Sequence, residues 1–210
     1  MRFRKDLIIA AGYTVLTIIL TYPVFFRLTS HIAGFEGQDN LQWRWFLWWF
    51  KHSVLTLQTS VADVSILYAP AGGQQPLYLI TTFVPAVALP VTLLAGPTLS
   101  FNLSFLLSFA LSAYTAYLLA YYLTGQRLAA FMAGLIFGFY PARFGYATGT
   151  FLGQLTTYFL PLVVLALFML ARRPTPRRTV WLIVLLVGLG LTWPLHVAYG
   201  VVIFTVSFLI

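Results

Sequence analysis

Two carboxylates, Glu36 and Asp39, stand directly before a tryptophan-rich segment in the stretch GFEGQDNLQWRWFLWWFKHSV. In a chain with only 8% charged residues, they are the first candidates for chemistry. A carboxylate fixed beside an apolar surface can accept a proton from a hydroxyl or an amine of a substrate that lies alongside. Asp39 equally fits the N-cap of a helix from Asn40, with Gln42 three residues on as capping-box partner. One residue can fill both roles.

The other candidates each have a chemical and a structural interpretation. Glu36 is a second acid of the site or, as we favour, a solvated loop charge. Arg143 suits a bidentate phosphate contact, and it equally suits snorkelling to lipid headgroups. Asp63 fits a cap or turn; the alternative is a second carboxylate facing Asp39 through a divalent cation. Gln154, in GQLTTYFLP, could line a cavity or bond to neighbouring helices.

The composition indicates a membrane protein. The chain of 210 residues is 60% hydrophobic, with a mean hydropathy of +0.90, and a soluble fold of this size could not bury so much apolar surface. The net charge of +8 does not indicate nucleic acid, because the basic residues flank apolar segments, which is the positive-inside pattern. The absence of cysteine excludes disulfides and thiolate chemistry, and the three histidines lack metal-ligand spacing.

The apolar pattern predicts an all-α, polytopic transmembrane helical bundle with a large external first loop. The predicted spans are residues 7–26, 99–123, 128–140, 151–171, 180–193 and 196–210. The basic residues before the first span predict a cytoplasmic N-terminus. The external loop, 27–98, carries a surface helix at 40–57, whose tryptophans are expected to anchor in the membrane interface. The last apolar run has no polar tail, which is typical of the N-terminal part of a longer protein.

The segment 76–95 decides this topology. If it spanned the membrane, the arginine cluster at 172–178 would lie outside, against the positive-inside rule. The segment contains three prolines and is closed by Gly96-Pro97, and proline disrupts a helix interior. We therefore predict a re-entrant or surface-lying hairpin on the external side, which walls a cavity. Asp39 and Arg143 then lie on the same external side.

The motifs GQDN and WRWFLWWFKH, after a first span, resemble the multi-spanning glycosyltransferases of the GT-C fold. More narrowly, they resemble the bacterial YfhO-like and mannosyltransferase-like membrane proteins. The segments ILYAPAGGQQPLYLITTFVPAVALP, TGQR and GQLTTYFLPLVVLALFMLARR follow in the order of that group's juxtamembrane hairpin, inner turn and next span.

The resemblance implies a function for the acidic loop. It implies that Asp39 is the catalytic base, which deprotonates a glycan, lipid or protein acceptor. It also implies a polyprenyl-phosphate-linked sugar donor, whose phosphate Arg143 contacts, and a place in the bacterial cytoplasmic membrane. Two other classes stay open: a transporter or flippase, which would carry ionisable residues within its spans, and a non-catalytic scaffold of the same fold.

Overall fold

The computed structural model describes residues 2–37, 39–67, 69–76, 79, 81–149 and 152–192. The predicted span 196–210 lies outside these residues. Within them the fold is all-α apart from a two-stranded antiparallel ladder. The helices are α1 (Arg2–Leu20), α2 (Asn40–His52), α3 (Phe83–Thr124), α4 (Arg127–Phe139), α5 (Pro141–Gly149), α6 (Leu152–Leu155), α7 (Phe159–Arg172) and α8 (Pro176–Gly190). A 3-10 helix (Val24–Arg27), a π-helix (Ser53–Leu57), β1 (Asp63–Val64) and β2 (Gly73–Gln74) complete the described elements.

Two helical stretches among the described residues are long and apolar enough to cross a membrane. They are α3, and α4 taken together with α5 as Arg127–Gly149. They contain the predicted spans 99–123 and 128–140. The helix α7 is apolar but shorter. By length and composition the described helices therefore provide fewer membrane spans than the sequence pattern predicts.

Three predicted spans have wrong bounds, each because a local backbone feature overrides hydropathy. The span 7–26 ends at Leu20, shortly before Pro23, whose ring disfavours helix in the residue before it. The span 151–171 is split into α6 and α7 by the non-helical residues 156–158. The span 180–193 begins earlier, because Pro176 occupies the first turn of α8 and the Thr175 side chain accepts a hydrogen bond from the backbone N–H of Arg178.

The helix α3 is folded back on itself at Gly96, which divides it into a short first arm, 83–95, and a long second arm, 97–124. Gly96 has φ 84° and ψ 169°, a conformation that is open essentially to glycine alone. Ser100 Oγ donates to the carbonyl oxygen of Ala88 at 3.2 Å, twelve residues away along the chain, whereas a straight helix would separate them by about 18 Å. The prediction of a hairpin within 76–95 is therefore wrong in its bounds: residues 83–95 form a single helical arm about 20 Å long, and the chain turns back at Gly96.

The long arm of α3 packs closely on α4 through small residues. A Cβ added at Gly138 would stand 2.5 Å from the Cβ of Ala113, and one at Gly134 would collide with the hydroxyl of Tyr13 on α1. The two glycines form a GxxxG pattern, which lets helix backbones approach closely. This contact joins α1, α3 and α4 into one bundle.

The apolar face of α2 packs against protein, contrary to the prediction of a surface helix anchored in lipid. Trp43, Phe46, Leu47 and Trp49 are each at most 6% exposed, and they belong to the largest core cluster, together with residues of α3 and α6. The indole N–H of Trp49 donates to the carbonyl oxygen of Val61 at 2.9 Å. The helical range 40–57 is confirmed, since α2 continues as the π-helix.

Two contacts fix which segments share one end of the bundle. Arg127 forms an ion pair with Asp6 of α1 at 2.8 Å, and the guanidinium of Arg172 lies over the Tyr122 ring at 4.9 Å. The N-terminus, the turn before α4 and the arginine cluster 172–178 therefore meet at what we call the basic end. The opposite end of the long arm of α3 carries the loop with Glu36 and Asp39.

Candidate functional site

The acid loop, residues 33–37 and 39, is held on the bundle by a buried asparagine of α3. The side chain of Asn102 is fully buried. Its Oδ1 accepts a hydrogen bond from the backbone N–H of Ala33 at 3.0 Å, and its Nδ2 donates to the carbonyl oxygens of Leu28 and His31, both at 2.7 Å. One side chain thus replaces the secondary structure that this segment lacks, because buried backbone groups must find partners.

A second asparagine, Asn40, closes the loop from its other side. It is 3% exposed, and its Nδ2 donates to the carbonyl oxygens of Ala33 and Phe35, both at 3.1 Å. A backbone hydrogen bond of 2.9 Å from Phe35 to the carbonyl oxygen of Thr148 also ties the loop to the end of α5. Sequence reasoning gave neither asparagine a role in the loop; of the two described neighbours Asp39 and Asn40, the asparagine is the one whose side chain bonds to the loop backbone.

Asp39 is the N-cap residue of α2 by position, but its side chain forms no capping hydrogen bond. Its backbone is in the right-handed helical region, with φ −67° and ψ −7°, whereas a side-chain cap normally needs an extended N-cap residue. The predicted capping box is therefore wrong. The carboxylate is half-buried at the start of α2, so it is partly open to solvent and is not used to cap the helix.

Glu36 is exposed within the acid loop, next to Gly37 with φ 78°. This exposure agrees with a solvated loop charge.

The cavity beneath the acid loop contains two residues that sequence reasoning did not consider. It has a volume of about 210 Å³ and is lined by Arg27 and His31 together with the loop residues Ala33 and Gly34. A guanidinium and an imidazole beside a partly open space are suited to an oxyanion. The sequence offers one indication that Arg27 and His31 lie close together: both belong to the short connection between α1 and the acid loop.

Arg143 is buried inside the bundle, at 1% exposure, so the prediction that it snorkels to headgroups is wrong. Its guanidinium donates to Thr157 Oγ1 at 2.7 Å and to the carbonyl oxygens of Ser108 and Leu155 at 2.8 and 2.6 Å. It also stacks over the Phe109 ring at 4.8 Å. These contacts join α5 to α3 and to the break between α6 and α7, and they turn the guanidinium towards protein acceptors.

The two remaining predicted residues have local partners. Asp63 is exposed in β1, where its Oδ1 accepts a hydrogen bond from Gln74 Nε2 at 3.2 Å, in agreement with a turn role. Gln154 is half-buried in α6, which lies against α3 and α5. Among the described residues no group of three or more His, Cys, Asp or Glu side chains could hold a metal ion.

The hairpin of α3 walls a second cavity, as the sequence predicts for segment 76–95. The cavity of about 160 Å³ lies between the two arms and is mainly apolar. Val87 and Val91 line it from the first arm, and Leu103 and Leu107 line it from the second. Tyr158, from the break before α7, adds a polar group to the lining.

Comparison with protein-family models, with curated proteins and with solved structures gives no match for this chain. The functional assignment therefore rests on the site itself.

Proposed function

We propose that this chain forms a membrane-embedded glycosyltransferase unit, which transfers a sugar from a polyprenyl-phosphate donor to an acceptor. The observation that carries the proposal is the acid loop. Two buried asparagines immobilise it, and its residues Ala33 and Gly34 line the cavity that contains Arg27 and His31. The carboxylate of Asp39, at the other end of the loop, is uncapped and half-buried. A fixed carboxylate with a neighbouring cationic cavity is the pair of groups that base-assisted transfer from a phosphate requires.

The proposed reaction uses these groups in one displacement. Asp39 accepts the proton of an acceptor hydroxyl or amine, and the freed electron pair of that oxygen or nitrogen attacks the anomeric carbon. The bond between that carbon and the phosphate oxygen breaks, and the lipid phosphate leaves with the electron pair. Arg27 and His31 stabilise the negative charge that develops on the phosphate. The apolar cavity in the α3 hairpin provides a surface for the prenyl chain.

The charge distribution supports a place in the bacterial cytoplasmic membrane with the acid loop outside. Eight of the twelve Lys and Arg residues belong to the segments that meet at the basic end: Arg2, Arg4, Lys5, Arg127, Arg172, Arg173, Arg177 and Arg178. Three of the four acids lie in the connection between α1 and α3, which includes the acid loop. Cytoplasmic loops carry the excess of Lys and Arg, so the basic end is assigned to the cytoplasm.

The test is the substitution Asp39→Asn, which keeps the size of the side chain and removes the base. We expect transfer of sugar from a polyprenyl-phosphate donor to fall by about 100-fold or more, with an unchanged melting temperature. Asp63→Asn is the matched control, because Asp63 bonds to Gln74 in the strand ladder; it should retain most of the activity. An Asp39→Asn protein that transfers sugar at the wild-type rate would refute the catalytic role.

One observation favours the transporter or flippase alternative. Arg143 is an ionisable residue buried within a stretch long enough to span a membrane, and transporters place such residues in their spans. The hydrogen bonds that its guanidinium makes to described residues go to protein acceptors on neighbouring segments, however, which is typical of a structural cation. Substrate flux in vesicles without sugar transfer would favour this alternative.

A further inference from the structure

A groove of about 230 Å³ runs between α7 and α8, away from the acid loop. One stripe of α7 lines it, formed by Leu162, Leu165, Ala166 and Met169, which share a face at helical spacing. The groove is partly open to the outside of the bundle. Its floor is therefore apolar and accessible from the side, where the proposed membrane placement puts lipid chains.

The α8 side of the groove ends in a cation. Arg178, Trp181 and Leu185 line it from this helix. The Nη1 of Arg178 donates to the carbonyl oxygens of Met169 at 2.6 Å and Arg173 at 2.7 Å, which fixes the guanidinium at the basic end of the groove. Both hydrogen bonds that the guanidinium makes within the described residues use Nη1, so its Nε and Nη2 can donate to an anion.

The cations at this end outnumber the acids. Of the four acidic residues in the sequence, Asp6 alone belongs to the basic end, and it is in an ion pair with Arg127. Around Arg178 stand three further arginines, all exposed: Arg172, Arg173 and Arg177. A groove with an apolar floor and an uncompensated cationic end is complementary to a molecule with an apolar chain and an anionic head.

We propose that this groove binds one anionic phospholipid of the surrounding bilayer. An acyl chain lies along the α7 stripe, and the phosphate accepts hydrogen bonds from Arg178. Trp181, one turn from Arg178 and 56% exposed, stands at the boundary between head and chain, where tryptophan is enriched in membrane proteins. The proposal rests on the membrane placement proposed above and is independent of sugar transfer.

The experiment measures lipid binding to the purified, delipidated chain by native mass spectrometry. Phosphatidylglycerol is compared with phosphatidylcholine of the same acyl chains, in detergent and without sugar donor. We expect the wild type to bind phosphatidylglycerol at least five-fold more tightly, since a basic residue near an anionic lipid surface contributes a factor of about five.

Two variants and a matched control separate a built site from general charge attraction. Arg178→Gln should abolish the preference for phosphatidylglycerol, whereas Arg177→Gln, the same change one residue away and outside the groove lining, should preserve it. Leu165→Trp, which fills the groove without changing charge, should weaken the binding of both lipids. If Arg178→Gln fails to fold, because it loses the hydrogen bond to the carbonyl oxygen of Met169 in α7, the lipid affinity of Leu165→Trp alone tests whether the groove is the binding site.

Three results would overturn the proposal. Equal losses in Arg177→Gln and Arg178→Gln would mean diffuse attraction to the basic end. Equal affinity of the wild type for the two lipids would remove the role of the phosphate. If the wild type is a dimer and Leu165→Trp is a monomer, the groove is an interface between two copies of the chain and not a lipid site. Asp39→Asn should bind lipid like the wild type, so failure of this proposal and failure of the transfer proposal are told apart.

Discussion

The motif GQDN shows how neighbouring polar residues divide their tasks. Asn40 uses its amide as donor and acceptor, with the N–H group pointing to two loop carbonyls and the oxygen accepting from the backbone of Leu41. Asp39 could not replace it, because an ionised carboxylate only accepts hydrogen bonds. The asparagine therefore holds the loop, while the aspartate side chain makes no capping hydrogen bond, a division that residue types alone do not reveal.

At the residue scale the sharpest prediction concerns Arg143. Its buried guanidinium donates a hydrogen bond to Thr157 Oγ1 at 2.7 Å. A hydrogen bond from a charged donor contributes more to stability than one between neutral groups. We expect Arg143→Met to lower the free energy of unfolding by about 3 kcal/mol, since it removes the charge-assisted hydrogen bonds to Thr157 and to two buried carbonyl oxygens. A double-mutant cycle with Thr157→Val should give a coupling energy of about 1–3 kcal/mol.

The control for Arg143 is Arg44→Met, because Arg44 is exposed and its guanidinium bonds to Thr98 at 2.9 Å. It should change stability by less than about 1 kcal/mol. Thermal unfolding in detergent, followed by helicity, measures all variants. Additive effects of Arg143→Met and Thr157→Val would contradict the structural role and return Arg143 to the phosphate-binding candidates.

At the element scale, the close packing of α3 and α4 depends on the absence of side chains. Ala113 of α3 stands against Gly138, where a new Cβ would lie 2.9 Å from the Ala113 Cα as well. Gly138→Ala should therefore destabilise the protein by about 1–3 kcal/mol, because the two helices must separate. Gly12→Ala is the matched control: a Cβ there meets nothing within 4 Å, so stability should stay equal or rise by up to about 1 kcal/mol.

Melting temperatures of the two alanine variants test this packing. Equal melting temperatures of Gly138→Ala and Gly12→Ala would contradict this packing. They would mean that α4 lies farther from Ala113 of α3 than the contact at Gly138 indicates. The same comparison also separates steric packing from helix propensity, since both substitutions add the same methyl group to a helix.

At the scale of the whole molecule, the two ends of the bundle predict an accessibility pattern. Glu36 lies in the acid loop, Gln126 lies in the turn before α4, and both are exposed. The native chain has no cysteine. In intact cells a membrane-impermeant maleimide should label Glu36→Cys at once, and should label Gln126→Cys only after permeabilisation. Arg173→Cys, at the basic end, should behave as Gln126→Cys does.

The labelling experiment also tests segment 76–95. If Glu36→Cys and Gln126→Cys were both labelled in intact cells, the short arm of α3 would cross the membrane, and the transporter alternative would move ahead. Failure of all three variants to fractionate with membranes would refute the membrane placement and, with it, the proposed function.

The sequence by itself determined the all-α class, the helix limits near 40–57, 99–123 and 128–140, and the break at Gly96-Pro97. These follow from local chemistry: helical periodicity, and the backbone limits of proline and glycine. Only the tertiary structure decided which apolar face meets protein, because an amphipathic pattern is the same against a lipid chain as against another helix. For that reason the tryptophans of α2, the burial of Arg143 and the clamp of Asn102 on the acid loop could not be predicted. Each depends on a partner far away in the chain, and hydropathy carries no information about that partner.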